Sequence, residues 1–195
     1  MIVGLGNPGP EHAGSRHNVG FMVAQELSSR WGLGRARDKF RGRIVEGRAR
    51  SGPPGAPGAP SPPRVAVLCP QTYYNDAGRS VGPARGSYHL ALDHVLVVHD
   101  EIDLPFGEVR ARLGGGLAGN NGLKSIKREL GGADFMRVRV GVGRPESSDP
   151  EIVSAHVLGR FRESPDLLRG LIEQAAVAVE RAVLSPGEGG EEAAP

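Results

Sequence analysis

A single cysteine, Cys69, stands among the 195 residues of this chain. That excludes an internal disulfide framework and any all-cysteine zinc site. No apolar stretch approaches the roughly 18–20 residues of a membrane span. The start, Met1-Ile2-Val3-Gly4, has no basic segment leading into an apolar run, so no signal peptide is expected. The expected compartment is the cytoplasm, with no membrane contact. G-x-S-x-G, H-E-x-x-H and Walker motifs are absent, as is any internal repeat. Two compact domains would each have fewer than about 100 residues, so one domain is the expectation. Hydrophobic residues at 38% and charged residues at 24% supply enough material for a core.

The net charge of +2 conceals a segregation. Arg30 to Arg50 holds eight basic and two acidic residues, and Arg110 to Arg144 holds the same numbers. Each stretch is net +6, which leaves the remainder at −10. Basic stretches on an acidic background suggest an anionic partner, nucleic acid first, or else two solvated faces.

Residues 51–63 contain six prolines and three glycines, which cannot hold a helix or a central strand. They read as a flexible or polyproline-like loop capping a hairpin whose strands lie near 40–49 and 64–69. Residues 185–195, rich in Gly, Pro and Glu, read as a disordered acidic tail. Val19, Val23, Leu27 and Trp31 recur every four residues and predict a helix over about 16–31. Val95 to Val98 is a short apolar run of the buried parallel-strand kind. Leu123, Ile126 and Leu130 form a helix stripe stopped by Gly131-Gly132. Alternating Met136, Val138, Val140 and Val142 predict a strand. Ser164-Pro165 caps a last helix with Leu168, Ile172, Ala175 and Val179 on its core side. The alternation predicts an α/β fold: a single domain with a mixed, largely parallel sheet flanked by helices.

Gly4-Leu5-Gly6-Asn7-Pro8-Gly9 formally matches the dinucleotide fingerprint. Pro8 and Pro10 delay the helix that should meet a pyrophosphate, so the segment reads better as a rigid loop presenting Asn7. His17 lies at a helix start, where the positive end favours a neutral imidazole, the form a general base needs. It also fits a histidine that bonds a nearby backbone group. His99-Asp100-Glu101-Ile102-Asp103 follows the apolar run, at the strand end where α/β sites form. It fits a divalent-metal site, an acid that orients His17, or a solvated acidic turn. Gly114 to Gly122 runs into a helix bearing Lys124, Lys127 and Arg128, and suits a phosphate-bearing ligand or a mobile loop. Tyr73 and Tyr74 offer a stacking face or core packing, and Asn75 an amide donor for an oxyanion. Cys69 reads as a buried strand residue rather than a nucleophile.

Together these segments resemble the bacterial-type peptidyl-tRNA hydrolase family. The matching pieces are Val3 to Gly9, Ser15 to Phe21, Tyr74 to Gly78, His99 to Pro105, Leu113 to Leu123 and Arg137 to Pro145, in the family's order, with Val157-Leu158-Gly159 as a further piece. The match spans roughly residues 1–180; the hydrolase-like domain is expected over 1–184, with the proline loop as an insertion. The resemblance implies hydrolysis of the ester between a peptide and the 3′ end of a tRNA, with no metal and no cofactor. It implies His17 as the base that activates water, Asp100 as the acid that holds its ring, and Asn75 as the group that positions water or steadies the oxyanion. It implies substrate contacts from Asn7, Tyr73 and Asn121, and tRNA contacts from Arg112, Lys124 and Arg139. A monomer is the family expectation.

The sequence departs from the family at named places. His12 stands where Tyr is usual and changes one wall of the groove. Tyr74 stands where Met is usual and is expected to narrow the peptide site. Asn120 replaces a usual His, and the tail lacks a basic, Asn-containing finish. The expected mechanism uses one neutral histidine and no covalent intermediate. The rival is a non-catalytic RNA-binding protein on the same fold.

Overall fold

The computed structural model describes residues 1–50 and 61–184. Most of the proline-rich stretch and the acidic tail lie outside the described residues. Seven strands form one sheet: β1 (Ile2–Gly4), β2 (Arg37–Lys39), β3 (Gly42–Arg48), β4 (Arg64–Pro70), β5 (Leu96–Glu101), β6 (Val109–Leu113) and β7 (Met136–Gly141). Their order is β2-β3-β4-β1-β5-β7-β6. The helices are α1 (Val19–Arg30), α2 (Gly78–Ser87), α3 (Asn121–Leu130), α4 (Pro150–Leu158) and α5 (Pro165–Leu184).

The four central strands, β4-β1-β5-β7, run parallel. The expected largely parallel sheet stops there. The pairings of β2 with β3, β3 with β4 and β6 with β7 are antiparallel, as many as the parallel ones. The connections explain part of the division. The hairpin strands β3 and β4 need no crossover helix, whereas β6 and β7 pair antiparallel although α3 lies between them in the chain. The hairpin expected around the proline loop is β3 and β4, registered from Gly42↔Pro70 to Arg48↔Arg64.

Both faces of the sheet are covered, as a parallel centre requires. On one face Val19, Val23, Leu27 and Trp31 of α1 and its end pack with Leu171, Ala175 and Val179 of α5 on Ile2, Val98 and Val138. On the other, Val81 and Ala84 of α2 and Leu123 and Ile126 of α3 pack on Val3, Leu68 and Val97. The expected helix over 16–31 is a 3₁₀ turn, Arg16–Asn18, followed by α1. Gly131, at φ 75°, terminates α3 in the left-handed conformation. The Ser164 hydroxyl accepts a hydrogen bond from the Leu167 amide at the start of α5.

Two glycines set how closely α1 approaches the sheet. A Cβ on Gly4 would strike the carbonyl of Gly20, and one on Gly20 would strike the Leu5 amide nitrogen and the Val98 carbonyl. With no side chains between them, the first turn of the helix rests on the end of β1 and the middle of β5. His17 is thereby brought to the strand end that carries Asp100.

Candidate active site

The imidazole Nδ1 of His17 lies 2.9 Å from Asp100 Oδ2. Asp100 is the fifth residue of β5 and its side chain is 3% exposed; that of His17 is 17% exposed. An acceptor carboxylate at Nδ1 fixes the tautomer with the proton there and leaves the Nε2 lone pair free. Burial alone would raise the Asp100 pKa. The attraction of His17, with hydrogen bonds from His17 and Tyr74, outweighs it and holds the carboxyl below its ordinary value.

Of the two adjacent tyrosines, Tyr73 is 66% exposed and Tyr74 is buried. The narrowing of a peptide site expected of Tyr74 is therefore corrected. Its amide donates to Asn7 Oδ1 at 2.8 Å and its hydroxyl to Asp100 Oδ1 at 2.7 Å, which turns the side chain inward. Its ring stacks on His17, with centroids 3.5 Å apart and planes 10° from parallel. Burial first, and the neighbouring carboxylate second, push the phenol well above its ordinary pKa, so it remains a donor.

Asn7 is held at three points. Beyond the Tyr74 amide, its own amide donates to Asn18 Oδ1 at 2.8 Å and its carbonyl accepts from Asn18 Nδ2 at 2.9 Å. Because Oδ1 must accept from an N–H, the amide orientation is fixed and Nδ2 is left as the donor. The Leu5 and Asn7 amides of this loop are already bonded, to the Val98 carbonyl and to Asn18 Oδ1, which argues against a pyrophosphate cradle, and Glu26 pairs with Arg30 on α1 rather than ending a strand. Asn18 is buried, and sequence reading assigned it no role; its place beside His17 in the Arg16-His17-Asn18 segment was the available signal.

The acidic strand end resolves into separate pairs. Asp100 serves His17 and Tyr74, Glu101 pairs with Arg139 at 3.0 Å, and Asp103 pairs with Arg144 at 2.6 Å. Among the described residues, no group of three or more His, Cys, Asp or Glu side chains is placed to hold a metal ion. His99 is fully buried, its Nδ1 2.7 Å from the Asp100 carbonyl, and burial lowers its pKa. Burial pushes the Cys69 thiol up to about 12, which removes it as a nucleophile.

Asn75 follows Tyr74 in a short 3₁₀ turn and is exposed. Asn120 caps α3 through the Leu123 amide, and its Nδ2 donates to the Tyr74 hydroxyl at 2.9 Å. Asn121 opens α3 on the solvent side, with Lys124 one turn along and 3.4 Å from its Oδ1. His12 is half-buried. Arg112 is exposed on β6, whereas Arg139 is one-fifth exposed and already paired with Glu101. Arg137, in the same basic stretch, is fully buried and donates to the carbonyls of Gly114 and Gly116. That arginine ties down the glycine loop rather than facing a ligand. In the other basic stretch, Arg30 is bound to Glu26 and Glu180, and Arg37 to Glu46.

The site is thus that of an α/β protein carrying a carboxylate-oriented imidazole at the carboxyl ends of parallel strands, with donor amides around it. The family described as peptidyl-tRNA hydrolase matches residues 1–191. The chain is 44% identical to the peptidyl-tRNA hydrolase of Syntrophotalea carbinolica, over 92% of this chain and 88% of that one. It is 41% identical to that of Geobacillus kaustophilus, over 95% and 94%. A crystal structure of peptidyl-tRNA hydrolase from Acinetobacter baumannii superposes with a TM-score of 0.77 at 35% identity, covering 95% of this chain and 88% of that one. A peptidyl-tRNA hydrolase crystallised with N-propanol gives the same TM-score at 38% identity, covering 94% and 87%. The chain belongs to the peptidyl-tRNA hydrolase family.

Proposed function

We propose that His17 is the general base with which this enzyme hydrolyses peptidyl-tRNA. The observation that carries the assignment is the His17–Asp100 contact, which points a free Nε2 lone pair away from the carboxylate. Nε2 takes a proton from water as the water oxygen attacks the ester carbonyl. The tetrahedral intermediate collapses by breaking the bond to the tRNA 3′ oxygen, which receives the proton from His17. Peptide carboxylate and free tRNA leave, and no enzyme atom is acylated. A base of this kind contributes about 10²–10⁴-fold.

Asn75, exposed in the turn that follows Tyr74, donates to the developing oxyanion, a contribution of about 10²–10³-fold. Asn7 Nδ2 binds the acylated amine of the substrate, Asn121 its peptide backbone, and Tyr73 and His12 flank the chain. Arg112, Lys124 and Arg139 contact tRNA phosphates. The protein works as a cytoplasmic monomer. Among the described residues no helix is long and apolar enough to cross a membrane. No observation favours a non-catalytic RNA-binding protein.

The test is release of an N-acylated amino acid from its tRNA by the protein and by His17→Ala. Release by the first and its loss in the second, with tRNA still bound, is expected. Equal release by both would remove His17 from the mechanism.

A further inference from the structure

Tyr74 and Asn120 are joined to the His17–Asp100 pair by contacts that the reaction as written above does not use. Asp100 has two carboxylate oxygens, and they are divided between two partners. Oδ2 faces His17 Nδ1, and Oδ1 accepts the Tyr74 hydroxyl at 2.7 Å. The phenol oxygen in turn accepts from Asn120 Nδ2 at 2.9 Å. The same phenol ring lies flat against the imidazole. Tyr74 is therefore in contact with both halves of the pair, through its hydroxyl and through its face. Gly122 also lies close against the ring: a Cβ there would be 2.5 Å from Tyr74 Cε1.

We propose that Tyr74, oriented by Asn120, is a positioning residue that sets the basicity of His17 and fixes the plane of its ring. This rests on His17 being the base. A hydroxyl donated to Oδ1 draws negative charge away from Oδ2, which leaves the imidazole less basic than a carboxylate held by His17 alone would make it. The Asn120 donor polarises the phenol and strengthens that pull. The stacked ring removes one direction of imidazole rotation, so Nε2 stays aimed at water.

Other charges near the pair are Glu101 and His99 on β5, with Arg139 and Arg137 on β7, and Arg16 in the 3₁₀ turn before α1. Glu101 is paired with Arg139, His99 with the Asp100 carbonyl, Arg137 with the glycine loop and Arg16 with Glu163. Substitution at Tyr74 or Asn120 leaves all of them in place.

The experiment is the pH profile of kcat, with NMR titration of the His17 ring, for the parent enzyme, Tyr74→Phe, Asn120→Ser and the double variant. Tyr74→Phe keeps the stack and loses the hydroxyl. Its acid limb and the His17 titration midpoint are expected to move together to higher pH, by about one unit, the size of a hydrogen bond to a charged group. KM is expected to hold. Asn120→Ser retains a capping hydroxyl for α3 and should shift the limb the same way by less. The double variant should match Tyr74→Phe, because Asn120 acts through the phenol. An unmoved limb and midpoint in Tyr74→Phe would overturn the proposal while leaving His17 as the base. If Tyr74→Phe does not fold, an unmoved limb in Asn120→Ser overturns it equally. Full activity of His17→Ala would instead remove the reading on which it rests.

Discussion

Gly4 and Gly20 meet backbone to backbone, so that a Cβ on Gly4 has no room beside the Gly20 carbonyl. These residues lie on β1 and in the second turn counted from His17. Their contact is what lets a helix-borne imidazole reach a strand-borne carboxylate.

Gly20→Ala should therefore damage stability and activity together. The added methyl meets backbone of Leu5 and Val98, which cannot rotate away. Overpacking of this kind costs about 1–3 kcal/mol. A lower denaturant midpoint is expected, with a fall in kcat larger than the unfolded fraction explains. Ala at Gly86, whose Cβ meets nothing within 4 Å, is the control.

Acid should destabilise the fold in two windows. His99 has a lowered pKa, so below its ordinary 6.5 the unfolded chain takes up a proton that the folded chain refuses. Stability falls with pH there. Asp100 is also lowered, from an ordinary 3.8. Its contribution is complete above 3.8 and is lost as pH falls through the folded value. Urea midpoints from pH 8 to pH 2 should show both losses. Asp100→Asn should reduce the lower one, leaving the part that Glu163 contributes through Arg16, and keep the upper one; a variant curve parallel to the parent throughout would contradict the assignment.

Asp100→Asn should also lower turnover. The amide can present its NH₂ to His17 and hold the wrong tautomer, with Nδ1 as acceptor and the proton on Nε2. A fall within the 10²–10⁴ range of general-base catalysis is expected, with tRNA affinity retained. Single-turnover release at saturating enzyme measures the first, and filter binding the second.

Binding of deacylated tRNA should weaken steeply with salt, and Lys124→Gln should reduce the slope of log affinity against log salt by about one. Arg137→Gln should behave differently. Its guanidinium donates to two loop carbonyls, and losing charged hydrogen bonds costs about 1.5–3 kcal/mol each. A drop in melting temperature with the salt slope preserved would separate the structural arginine from the exposed lysine.

Periodicity in the sequence determined α1, α3, α5, β5 and β7, because each repeats its apolar residues at the spacing that buries one face or both. Turn chemistry determined the hairpin around the prolines and the stop at Gly131. Shared motifs placed His17, Asp100, Asn7 and Asn75 at element ends. Other features carried no such local signal. Helix α2 contains three glycines and Pro83, a composition of weak propensity, and forms because Gly78 fits against Ser125 of α3. The short edge strands β2 and β6 are largely exposed and so lack a hydrophobic alternation. Charge in the sequence did not separate Arg137, spent on the glycine loop, from Arg112, open to solvent. Nor did the sequence say which tyrosine of the pair turns inward. Those choices depend on partners far away along the chain: Asp100 is 83 residues from His17 and 26 from Tyr74. Only the folded sheet, with a helix resting on two glycines, brings those partners within hydrogen-bonding distance.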